Sequence, residues 1–151
     1  MSKYEIYVNE PLGVVVAKMS RKAFYDEVFN VAMRKLLNKY QNTMLGGVTW
    51  FNFFEDWVRS FFERWTKSRS AEKSIVTVAK CNYEDGDNFD ETLGRYIATD
   101  RMDAKIANTA FIFLSDFDYE MREFLGDVNK TLDKLGVFID KTFDHIEELA
   151  K

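Results

Sequence analysis

One cysteine, one histidine and one proline occur among the 151 residues of this chain, and each scarcity excludes something. With Cys81 as the single thiol, an intramolecular disulfide is impossible and no cysteine set is left for zinc. His145 is the only imidazole, so a soft-metal site has almost nothing to draw on, and no cofactor is expected. No run approaches the roughly 18 apolar residues of a membrane span, and Met-Ser-Lys-Tyr-Glu-Ile at the start lacks the apolar core of a signal peptide. A cytoplasmic protein with no membrane partner is the expectation. Glycine-rich phosphate loops, a nucleophile elbow and Glu-x-x-His pairs are also missing. Cys81 closes an apolar strand and reads as a small packed hydrophobe. A Cys81–His145 pair would have to be assembled by the fold alone, and the chain is not expected to be an enzyme.

What the chain does hold is apolar bulk: 46% hydrophobic residues, 16% aromatics and 14 phenylalanines. That composition folds, and the length fits a single domain over 1–151. The net charge of -4 gives the whole molecule no pull toward nucleic acid or anionic lipid, although local patches could supply one.

Taken in order, Tyr4, Ile6 and Val8 alternate, Pro11 and Gly13 supply a turn, and Val14–Ala17 run apolar, which predicts a β-hairpin. Ser20 can cap a helix to about Gln41 with a stripe of Phe24, Val28, Phe29, Ala32, Leu36 and Tyr40. Thr49 can cap a second, whose broad apolar face holds Trp50, Phe51, Phe54, Trp57, Val58, Phe61, Phe62 and Trp65. A polar connector leads to a third strand at 74–81, then an acidic turn in which Asp87 or Asp90 caps a helix opened by Glu91. Leu93, Ile97, Ala104, Phe111 and Leu114 predict that helix to about Leu114, and Ser115–Asp118 looks like the start of another. From Met121 onward two heptad series interleave: Leu125, Leu132, Ile139, Ile146 and Val128, Leu135, Thr142, Leu149. They predict a long helix over 121–149 packing on a partner helix, in the same chain or in a homodimer, with a break conceivable at Gly136. The expected fold class is α+β, helix-dominated, with a small antiparallel sheet (the N-terminal hairpin plus strand 74–81) packed on four or five helices.

Val14-Val-Val-Ala-Lys18 is echoed by Val76-Thr-Val-Ala-Lys80, and Phe24-Tyr-Asp-Glu27 by Phe89-Asp-Glu91. Duplication of a strand-to-helix unit would produce this, and so would chance similarity of apolar strands.

Two charged segments are candidate surfaces. Glu84, Asp85, Asp87, Asp90 and Glu91 crowd the turn; Phe89 sits where a calcium loop would need an oxygen, so a solvated helix cap, or a surface for a basic partner, fits better. Arg59, Arg64, Lys67, Arg69 and Lys73 interleave with Phe61, Phe62 and Trp65, the raw material of a nucleic-acid surface. The aromatics, however, share the apolar stripe while Arg59 and Arg64 lie opposite, which favours a packed face and a solvated one.

The run Val76-Thr-Val-Ala-Lys-Cys81, then Asp85-Gly-Asp-Asn-Phe-Asp90, then Gly94 and Ala98, resembles a motif in small, mostly uncharacterised proteins of phages and prophages of Gram-positive bacteria. Asn82-Tyr83 departs from the His-Pro that others of that group carry, and no functional residue transfers. The resemblance implies a small protein of a mobile element inside a bacterial host cell. Such proteins bind and disable host machinery, defence nucleases and CRISPR effectors included. The expected function is therefore a non-enzymatic inhibitor that meets a host protein through its acidic surface; the alternative is a nucleic-acid-binding accessory protein using residues 59–73.

Overall fold

The computed structural model describes residues 3–40, 48–69, 73–83 and 88–149. Along the chain run β1 (Glu5–Asn9), a 3-10 turn (Glu10–Leu12), β2 (Val14–Ser20), α1 (Arg21–Tyr40), α2 (Val48–Lys67), β3 (Ser74–Lys80) and α3 (Glu91–Leu149). Two compact units result, residues 1–114 and residues 115–151. The first holds the sheet, α1, α2 and residues 91–114 of α3; the second is the remainder of α3.

In the first unit the hairpin closes through residues whose chemistry demands it. Pro11 sits in the 3-10 turn, and Gly13 ends it at φ 60°, a left-handed conformation that side chains with a Cβ avoid. A Cβ at Gly13 would also lie 2.9 Å from that of Cys81. The sheet order is β1-β2-β3, antiparallel throughout, with Tyr7 opposite Val16 and Val16 opposite Val78. The two echoed segments lie side by side: Val14 faces Lys80 and Lys18 faces Val76, a local two-fold arrangement about Val16 and Val78.

Alternation sends Val15, Ala17 and Met19 of β2, with Ile75 and Ala79 of β3, to the inner face. Val15, Ala17 and Ala79 cluster there with Ala98 of α3, flanked by Ile6, Phe89 and Ile97. Small residues on both sides let helix and sheet approach closely. Closest of all is Gly94, where an added Cβ would sit 2.6 Å from Val15 Cγ2. Thr77 Oγ1 donates to the Ala98 carbonyl at 2.7 Å, fixing the same contact with a hydrogen bond.

Beyond the sheet, the three helices bury an aromatic core. Phe113 is fully buried, with Phe62 edge-on at 4.8 Å, Trp65 at 5.4 Å and Phe61 at 5.9 Å between ring centroids. Phe24, Val28, Phe29, Ala32 and Met33 supply the α1 side. Lys3 ties the N-terminus down through Asp103 (2.9 Å) and Glu27 (3.6 Å), and Tyr4 donates to the same Asp103 carboxylate.

The α+β architecture and all three strands are as expected, but among the described residues three α-helices stand where four or five were predicted. Ser115–Asp118 does not begin a helix: α3 already supplies backbone acceptors there, and Asp118 pairs with Arg122 at 2.8 Å instead. Gly126 and Gly136 do not interrupt it either. The buried stripe of residues 91–114 also differs in phase. Leu93, Ala104 and Phe111 are exposed, whereas Ala98, Met102, Ile106, Ala110 and Phe113 are buried. α2 opens at Val48, which places Thr49 inside its first turn rather than before it.

Candidate interaction surfaces

Two of the five acidic candidates are described, and both have structural work. Asp90 is the cap of α3: its Oδ1 accepts from the Leu93 N–H at 2.9 Å, satisfying one of the helix's orphan donors. Glu91 accepts from Arg95 Nε at 2.7 Å, one helical turn on. Glu84, Asp85 and Asp87 lie outside the described residues. Beside the turn, a cavity of about 240 Å³ is bordered by Gly13, Val15, Cys81, Phe89 and Gly94, and the Cys81 N–H donates to the Gly13 carbonyl at 2.7 Å. Cys81 is half-buried and belongs to the first unit, His145 to the second.

In the basic segment, the aromatic members are unavailable for stacking on bases. Phe61, Phe62 and Trp65 are all buried, and they pack around Phe113. Among the cations, Arg59 lies over the Phe29 ring at 4.5 Å and donates to Glu55 at 2.9 Å, while Arg69 lies over the Trp65 ring at 4.2 Å. Arg64, Lys67 and Lys73 are exposed. Arg21, which sequence reasoning passed over, closes the end of α2 by donating to the Thr66 and Arg69 carbonyls, both at 2.8 Å. Of the five basic candidates, Arg59 and Arg69 are thus held against rings of the protein, and Arg64, Lys67 and Lys73 are the ones exposed to solvent.

The second unit presents a different surface. At 1.5 Å per residue, its helix over 115–149 extends for roughly 50 Å. Phe124, Leu125, Val128, Leu132, Leu135, Phe138, Ile139, Phe143 and Ile146 are exposed by between 36% and 65%. An exposed apolar stripe of this length is unlike the scattered apolar residues of an ordinary surface. Six of the eight predicted heptad positions are among them, Thr142 is exposed on the same helix and the Leu149 side chain lies outside the described ones; three phenylalanines widen the stripe beyond the heptads. Sequence reasoning missed those three, although their spacing one residue before or four after a heptad position was the available signal. Charged neighbours pair with one another: Arg122 Nε donates to Asp118, which holds the guanidinium above its ordinary pKa, and Tyr119 donates to Glu123 at 3.1 Å, which raises the phenol.

Among the described residues no group of three or more His, Cys, Asp or Glu is placed to hold a metal ion, and no helix is long and apolar enough to cross a membrane. Comparison with protein-family models, curated proteins and solved structures finds no match to this chain.

Proposed function

We propose that the protein is a non-catalytic interaction protein whose contact surface is the helix of residues 121–149. The observation that carries this reading is the exposed stripe from Phe124 to Ile146. Nine large side chains left in water on one helix cost far more than a lone surface hydrophobe, and a partner helix or groove that removes them from water offsets that cost. A host protein of a bacterial cell is one such partner and a second copy of the chain another. The narrower form of the proposal, inhibition of a host defence nuclease through the acidic turn, is supported by the resemblance of residues 76–98 and by charge. Asp90 and Glu91, the two carboxylates of that turn among the described residues, serve the helix start, and the contact proposed here is therefore the helix.

Affinity capture with the tagged full chain from a Gram-positive lysate that also contains the untagged chain, with and without nuclease, tests the proposal. The expected result is a protein partner that survives nuclease treatment, is lost with Ile139→Asp and is retained with Asp85→Asn plus Asp87→Asn. Loss with the acidic double variant and retention with Ile139→Asp would return the contact to the turn. Recovery of nucleic acid alone would favour residues 59–73.

A further inference from the structure

We infer that the helix of residues 121–149 pairs with the same helix of a second copy, parallel and in register, as a two-stranded coiled coil. This rests on the reading that this helix is the contact surface, and it names the partner. In the heptad register, Leu125, Leu132, Ile139 and Ile146 occupy the first core position (a) and Met121, Val128, Leu135 and Thr142 the second (d). β-branched residues at a with leucine at d favour two parallel strands, a condition met by Ile139 and Ile146 with Leu135; Leu125 and Leu132 with Val128 have the reverse order, so the C-terminal half of the helix carries the preference.

Charge points to a copy of the same chain rather than to a basic partner. Every carboxylate from Glu123 to Glu148 falls at the outer positions b, c and f, and so do Lys130, Lys134 and Lys141. The four seam positions a, d, e and g carry only Arg122 and His145 as titratable groups, and the Arg122 charge is met by Asp118 at 2.8 Å. Two acidic molecules can therefore meet along this seam without opposing like charges, while a partner selected for positive charge would find nothing there to pair with.

The polar layer does not oppose pairing. Thr142 donates its hydroxyl to the Phe138 carbonyl at 2.8 Å within its own helix, so burying that layer strands no donor. Thr131 at the seam's flank does the same with the Asp127 carbonyl at 2.9 Å. In a parallel, in-register pair, position g of one helix faces position e of the other five residues on. That brings Phe138 of each copy against Phe143 of the other, one aromatic pair on each side of the Thr142 layer. At about 90 Å² for each of the nine exposed apolar side chains, the pair removes roughly 800 Å² per copy from water, the size of a standard specific interface.

Light scattering on the full chain tests the pairing, and disulfide trapping tests its direction. The expected mass is twice 17.8 kDa at tens of micromolar. Ile139→Asp should return it to the single-copy value without changing tryptophan fluorescence, since all three tryptophans precede residue 66. With Cys81→Ser, Thr142→Cys should cross-link to itself in a glutathione redox buffer, whereas an antiparallel pair centred on the stripe near Leu135 would hold the two thiols about 20 Å apart. A single-copy mass overturns the inference, as do a four-copy mass or a dimer that Thr142→Cys does not trap. If the mass is single-copy yet Ile139→Asp still abolishes lysate capture, the second-copy inference fails and the contact surface stands. If Ile139→Asp alters neither mass nor capture, both fail.

Discussion

Residues 98–113 and residues 125–146 are continuous in one helix, and both stretches carry large apolar side chains at helical spacing, yet their environments are opposite. Met102, Ile106 and Phe113 are excluded from water by 98% or more, whereas Leu132, Leu135 and Ile146 keep over half of their surface. The difference does not come from hydrophobicity. It comes from what each stretch finds within its own unit: the first has a sheet face of small residues and two aromatic helices, and the second has only itself. Apolar periodicity specifies that a stripe will be covered, and the surrounding chain decides whether the cover is internal.

Perturbing the covered stretch should have the largest effect. Phe113→Ala removes the ring that Phe61, Phe62 and Trp65 pack around, and should cost about 3–5 kcal/mol in chemical denaturation followed by tryptophan fluorescence. Ile139→Asp, on the same assay in dilute solution, should move the transition hardly at all. Equal losses would erase the contrast between the two stretches.

Gly94→Ala sharpens the comparison from the packing side. Alanine is the better helix former by about 1 kcal/mol, but its Cβ would meet Val15 Cγ2, so a net loss of roughly 1–2 kcal/mol is expected. In a Val15→Ala background the same change should cost less, because the methyl it meets is gone. At Gly136, with nothing within 4 Å, the same change should stabilise the helix by up to about 1 kcal/mol.

The smallest effect concerns pH. Burial tends to raise the Asp103 carboxyl, but hydrogen bonds from Tyr4 and Lys3 and the Lys3 charge outweigh it and hold the pKa below the ordinary aspartate value. Hydrogen bonding and charge likewise hold Lys3 above its ordinary value against the opposing effect of burial. A depressed carboxyl adds stability above its unfolded pKa and loses it as pH falls through the folded one. A raised amine adds stability below its unfolded pKa and loses it as pH rises through the folded one. Near neutral pH both contributions are present, and solvent screening keeps their sum below about 1 kcal/mol. Asp103→Asn should flatten the acid limb of a stability profile measured by denaturant titration, and an unchanged limb would remove Asp103 from the account.

Much of the first unit was readable from local chemistry. The alternation at Tyr4, Ile6 and Val8, the Pro11 and Gly13 turn, and the caps at Ser20 and Asp90 act over three or four residues and needed no tertiary knowledge; Ser20 Oγ does accept from the Ala23 N–H, at 3.2 Å. What was not readable depended on the partner surface. Residues 93–114 carry two apolar stripes, one with Leu93 and Phe111 and one with Ala98, Met102 and Ile106. Periodicity cannot rank them, because the ranking comes from the surfaces met: the sheet at Gly94 and Ala98, and the aromatic helices at Phe113. Ser115–Asp118 misled for a related reason: a cap motif acts as a cap only where no preceding turn already provides the acceptors. The surface of the second unit was half legible, its heptads plain and its flanking phenylalanines unremarked.

The sheet's two borders are not equivalent. Backbone bonds from Cys81 to Gly13 and from Arg21 to Lys73 fix the ladder so that Val76 and Val78 turn their peptide groups away from β2. There Arg101 donates to the Val78 carbonyl, so a guanidinium occupies the place a fourth strand would need. The opposite border is β1, only five residues long, where Glu5 pairs with Lys18 at 3.7 Å. One border is therefore plugged and the other kept short and charged, two ways of denying amyloid-like growth a template in a molecule whose β-branched strands would otherwise invite it.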